Sequence, residues 1–166
     1  MFERLHTPEE AFNWRLGATL KMEREIVDML DELIEKSHDE ALQQALRKHQ
    51  GETRGHIENV EHVFHLFEWD VDDSPCPVVE ALEKEGKANI KKADDAVVDS
   101  IILAGATETE HHEIAVYENL IINAQALGRE DAAEILKHNL DEEHAALEKV
   151  TSLARQTAAS TPRQPV

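Results

Sequence analysis

Apolar residues recur at three- and four-residue intervals along four long stretches of the chain, which is the period of a helix buried on one side. The stripes run Leu16, Leu20, Ile26, Leu30, Leu33; then Leu46, Val60, Val63, Phe67; then Leu103, Ala106, Tyr117, Leu120, Ile121; and last Leu136, Leu140, Leu147, Val150. Punctuation between them sets the boundaries. Thr7-Pro8-Glu9-Glu10 supplies a hydroxyl cap, a proline in the first turn and a glutamate at the third position, and predicts a helix over 8–36. Ser37-His38-Asp39-Glu40 repeats the pattern, so a second helix over about 38–68 follows a turn of a residue or two and lies antiparallel to the first. The acidic, proline-bearing stretch 69–77 excludes a regular element, and a shorter amphipathic helix over 78–92 turns Val79, Leu82 and Ile90 inward. Asp94 or Asp95 caps a third long helix over about 96–127, which Gly128 ends. A fourth runs over about 130–155, and the Ser-, Thr-, Pro- and Ala-rich end of the chain reads as a frayed tail.

Two antiparallel hairpins joined by a long crossover make an all-α, ferritin-like four-helix bundle with a short extra helix in the crossover. The expected domain covers residues 1–157 and the flexible tail 158–166. A shift of 90 residues takes Glu23 to Glu113, Leu30 to Leu120, Leu46 to Leu136, Glu52 to Glu142, Glu58 to Glu148 and Val60 to Val150. That single offset relates the hairpins by a pseudo-two-fold axis through the middle of the bundle. Gly51 and Gly55 lie inside the second helix at a cost of about 1 kcal/mol each against alanine, and so suggest a tight helix contact there.

The stripes carry acid where a core should be apolar. Glu23 interrupts the first; His49, Glu52 and His56 interrupt the second; Glu110 and Glu113, one turn apart, interrupt the third; Glu142 and Glu143 interrupt the fourth. Several carboxylates in a low-dielectric interior repel one another and lose several kcal/mol each in hydration, on the order of magnitude, unless cations neutralise them. A pair of divalent metal ions resolves the conflict. The candidate ligands are Glu23, Glu52, Glu110, Glu113, one of Glu142 and Glu143, and at least one of His49 and His56. The 90-residue offset favours Glu142, and the spacing from Leu136 and Leu140 to Leu147 favours Glu143. Tyr117, one turn from Glu113, reads as a core tyrosine that can donate to the centre.

Aromatics make up only 4% of the 166 residues, which suits a helical bundle, and the net charge of −18 argues against nucleic acid and anionic membrane as partners. Cys76 is the only cysteine, so no intrachain disulfide can form and a reducing, cytoplasmic setting is expected. No apolar run reaches the length of a signal peptide core or a membrane span.

The motifs HQGETRGH (49–56), EHHEIAVY (110–117) and LDEEH (140–144), with Glu23 in the first helix, resemble the YciF-type family of bacterial ferritin-like proteins over roughly residues 10–155. The resemblance implies a rubrerythrin-like dimetal site, dimerisation and an association with stress responses. The chain departs from the full rubrerythrin pattern, which has Glu-x-x-His on both the second and fourth helices. Three residues after Glu52 stands Gly55, and three after Glu143 stands Ala146. A shell this rich in oxygen suits iron or manganese. Two functions follow as expectations: a dimetal oxidoreductase of ferroxidase or peroxidase type acting on dioxygen or peroxide, or a non-enzymatic bundle that binds metal and works through protein contacts. Trp14, Phe67 and Trp69 are the expected patch of a homodimer.

Overall fold

The computed structural model describes residues 4–160, and every regular element among them is helical: α1 (Pro8–Lys36), α2 (Glu40–Leu66), α3 (Pro77–Ile90), α4 (Val98–Ala126) and α5 (Glu130–Ser160). α1 pairs with α2 and α4 with α5; α2 then lies against α5 and α1 against α4, closing a four-helix bundle. The crossover helix α3 covers the seam between α1 and α4. Its Val79 is fully buried, with Leu82 and Ile90 half-buried.

Local chemistry explains most boundaries. The Thr7 hydroxyl accepts from Glu10 N while the Glu10 carboxylate accepts from the Thr7 amide, a complete capping box on α1. Asp39 caps α2 through Leu42 N at 2.8 Å, and Ser37 and His38 in the preceding turn both donate to Asp99 of α4 at 2.9 Å, tying the first hairpin to the second. Gly128 takes φ +74°, where an L side chain is strained, and its amide closes on Gln125 O as α4 ends.

Four expectations need correction. The cap of α4 is not an aspartate side chain: the carbonyl of Asp94 accepts from Val97 and Val98 in a turn, and Val97 occupies the cap. The last helix continues past Arg155 to Ser160, because its Ala- and Thr-bearing end keeps helical geometry, while the remainder of the expected tail lies outside the described residues. Gly51 and Gly55 mark no close helix contact, since a Cβ at either would meet nothing within 4 Å. The close approach is at Gly17, where a Cβ would stand 2.9 Å from Ser74 Oγ and 3.0 Å from Asp72 O, so the 67–76 connection lies directly on α1.

Phe67 and Trp69 also depart from their expected place on a surface patch. They stack on each other with centroids 4.3 Å apart, Phe12 packs on both, and the Arg129 guanidinium covers Phe67 at 4.4 Å. Only Trp14 of the three remains exposed, at 45%.

Candidate metal centre

Seven-residue spacing sets which polar side chains enter the core. On α2 the positions Leu46, Thr53 and Val60, with His49, His56 and Val63 three residues further on, are all buried. On α5 the row is Leu136, Glu143 and Val150, with Asn139 between the first two, again all buried. These two rows face Glu23 of α1 and Glu110 and Glu113 of α4, which are 0%, 3% and 0% exposed.

The donor atoms gather in two groups that share one residue. His49, Glu110, Glu113 and Glu143 each offer an atom within 4.8 Å of the others, and Glu23, His56 and Glu143 do the same. Ligands on opposite sides of one ion at about 2.1 Å stand about 4.2 Å apart, so both groups lie close to the dimensions of a metal site. Of the candidates, six therefore meet in the core, and Glu143 lies between the two groups.

Glu52 and Glu142 do not join them. Glu52 swings to the Lys48 ammonium on its own helix, and its side chain keeps 19% of its exposure. Both lie one residue before the buried position of their row, about 100° round the helix from it. For α5 the leucine spacing was the better guide, because the duplication aligns Glu52 with Glu142 at the edge and aligns Glu143 with Thr53. The Thr53 hydroxyl is used by its own helix, donating to His49 O at 2.9 Å.

Glu142 nonetheless acts on the centre. His56 Nε2 lies 2.9 Å from Glu142 Oε2, while its Nδ1 faces inward, 2.9 Å from Glu143 Oε1 and 3.7 Å from Glu23 Oε2. An acceptor on Nε2 holds the proton there and leaves the Nδ1 lone pair for a cation. His49 turns Nε2 inward, 3.3 Å from Glu110 Oε1 and 3.7 Å from Glu143 Oε2, and its Nδ1 has no partner. A polar chain supports the other end: Asn59 donates to Asn139 at 2.7 Å, Asn139 donates to the Tyr117 hydroxyl at 3.0 Å, and Tyr117 donates to Glu23 Oε1. Asn59 and Asn139 were not singled out from the sequence. Asn139 carried a readable signal, a polar residue one turn before Glu143 on an apolar stripe.

The electrostatics show what this core needs. Burial, reinforced by Glu143, pushes Glu113 well above the usual carboxylate range and Glu110 up to about 10; burial also raises Glu23. Burial lowers His49. Burial opposes charge on His56 as well, yet Glu143 and Glu23 override it and raise the imidazole to about 11. Glu113 and Glu143 have both oxygens buried without a hydrogen-bond partner, and Glu23 Oε2, Glu110 Oε2, His56 Nδ1 and His49 Nε2 are buried and unpartnered too. Lone pairs from four helices thus converge on one volume, where the one nearby group able to donate is a protonated His56 Nδ1, 2.9 Å from Glu143 Oε1. Two divalent ions fit this set: four carboxylates match their charge, and each group brings one imidazole.

Beside His49 and Glu110 a pocket of about 230 Å³ opens between α2 and α5. Ala45, Leu46, Ala146 and Val150 wall it, and Lys48, Glu52 and Lys149 stand at its rim. Against the same group of ligands, on the α1 side, there is a cavity of only about 20 Å³. Neither is lined by Glu23 or His56.

Among the described residues no helix is long and apolar enough to cross a membrane. Residues 7–161 match the model of the family described as Domain of unknown function (DUF892). The chain is 33% identical over 152 residues to Protein YciF of Escherichia coli K12, spanning 90% of this chain and 92% of that one. The crystal structure of YciF, described as an E. coli stress protein, superposes with a TM-score of 0.89 at 31% identity over 95% of this chain and all of that one. A Rhodopseudomonas palustris protein, YcfI, described as a candidate structural protein, superposes with a TM-score of 0.88 at 34% identity, covering 92% of this chain and 98% of that one. A Xanthomonas campestris protein shares the fold alone, with a TM-score of 0.74 at 18% identity, over 93% of this chain and 95% of that one. The chain belongs to the DUF892 family of YciF-like helical-bundle proteins.

Proposed function

We propose that the protein binds two divalent metal ions, iron or manganese, in the middle of the bundle and uses them in redox chemistry with dioxygen or peroxide. His49, Glu110 and Glu113 would hold one ion, Glu23 and His56 the other, and Glu143 would bridge them. The observation that carries this reading is the set of buried, unpartnered oxygen and nitrogen atoms contributed by α1, α2, α4 and α5 to two groups close to metal-site dimensions. When bound, such ions supply the redox change and bind the oxidant. The chain's own residues have other tasks: Glu142 orients His56, Tyr117 and Asn139 position Glu23, and the apolar layers around them exclude water. The homologue's description as a stress protein supports a role in a stress response. Metal analysis of the purified chain, then anaerobic Fe(II) loading and addition of peroxide, tests the proposal. Two ions per chain and an absorbance change on oxidation are expected; a metal-free protein that takes up no Fe(II) would refute it.

A second reading is a non-enzymatic bundle acting through protein contacts, favoured by the ability of His56 as a cation to sit between Glu23, Glu143 and Glu142 and so neutralise part of the core without metal. In either case a homodimer in a reducing, cytoplasmic setting is our proposal, with exposed Trp14 in the contact. Light scattering at micromolar protein should give twice the chain mass, and a monomer would count against the contact.

A further inference from the structure

The pocket between α2 and α5 reaches only one half of the centre. Its inner wall is His49 and Glu110, each buried and each with an unpartnered polar atom, whereas Glu23 and His56 of the other half are fully buried and line no part of it. The 90-residue duplication explains why it is there: His56 on α2 corresponds to Ala146 on α5, so where one hairpin places an imidazole the other leaves a methyl group, and Ala146 lines the pocket. The walls are otherwise aliphatic, and the rim carries Lys149 and the Lys48–Glu52 ion pair in a protein whose net charge is −18.

We propose that this pocket admits an exogenous ligand to the ion held by His49, Glu110, Glu113 and Glu143, and that the ligand class it fits is a short aliphatic monocarboxylate. The inference rests on the dimetal reading. The carboxylate goes inward, where a bound cation beside His49 gives it a partner, and the hydrocarbon lies along Ala45, Leu46, Ala146 and Val150. A volume of about 230 Å³ lies below the roughly 300–1,000 Å³ of sites for drug-sized ligands, which keeps the chain short and makes hexanoate a suitable probe. Glu52 offsets Lys48 at the rim, so the attraction for an anion comes from Lys149 and from the bound cation at the inner end.

The test uses the full chain loaded with Co(II), whose visible bands report coordination, titrated with acetate and with hexanoate. Hexanoate should shift the bands saturably and bind at least tenfold more tightly than acetate, because only it buries a chain in the pocket. Ala146→Phe, and the milder Ala146→Leu should the first not fold, should take up the same amount of Co(II) but bind hexanoate at least tenfold more weakly. Equal affinities for acetate and hexanoate, an unchanged spectrum, or full hexanoate affinity in a loaded Ala146 variant would each overturn the pocket assignment and leave the metal centre standing. A chain that takes up no Co(II) would overturn both.

Discussion

Glu142 and Glu143 are neighbours in sequence and have different environments, because one residue turns a helical side chain through about 100°. Glu143 is fully buried between two groups of ligands, and Glu142 meets His56 from the edge. The roles can be separated by substitution. Glu143→Gln should abolish or strongly weaken the binding of both ions, since it is common to both groups, whereas Glu23→Gln should cost chiefly one; metal stoichiometry by elemental analysis distinguishes them. Glu142→Gln should leave the fold intact and weaken metal binding by about 10- to 100-fold, the usual effect of losing the group that orients a ligating histidine. Glu52→Gln should change metal content little, because Glu52 is paired with Lys48 instead. At this scale the sequence was legible as to residue type and stripe. It was not legible as to which of two adjacent acids faces in, because the duplication and the leucine spacing pointed to different ones and only the packing of α5 on α4 and α2 selects between them.

The helix boundaries were readable to within two residues except at the end of α5, since caps, prolines and Gly128 act locally and need no knowledge of tertiary contacts. α1 spans the expected 8–36, and α3 the expected crossover segment within two residues at either end. What local chemistry could not reveal was which glycine packs closely. Gly51 and Gly55 look out on open space, so Gly51→Ala and Gly55→Ala should each stabilise the chain by up to about 1 kcal/mol through helix propensity. Gly17→Ala should do the reverse, costing about 1–3 kcal/mol, because its new methyl would meet the backbone of Asp72 and Ser74. Urea unfolding of the three variants checks the signs; the opposite order would mean that the 67–76 connection does not rest on α1. The duplication is an element-scale property that the structure supports pair by pair: Glu23 and Glu113 are both fully buried, Glu52 and Glu142 both lie at the edge, and Glu58 and Glu148 are both exposed.

For the whole molecule the acidic centre couples metal, protons and stability. In the metal-free state Glu23, Glu110 and Glu113 titrate above the ordinary carboxylate range and His56 above the ordinary imidazole range, so the folded chain holds protons the unfolded chain would release. Their contribution is complete in acid below the unfolded pKa values. It is lost as pH rises through the folded ones, about 10 for Glu110 and about 11 for His56. His49, lowered by burial, acts in the opposite sense, losing its contribution as pH falls below the ordinary histidine range, and is outnumbered. The apo protein should thus melt at a lower temperature near pH 8 than near pH 5.5, while the loaded protein should show the reverse, because protons compete with metal for the same ligands. Melting curves with and without chelator at the two pH values read this directly.

If the acids in the core are metal ligands, calorimetric titration of chelator-treated protein with metal at neutral pH counts the ions they hold. Two ions per chain are expected for the native sequence, with both lost or strongly weakened in Glu143→Gln. A protein that binds no ion, or a Glu143→Gln variant that still takes up two with native affinity, would contradict that ligand role.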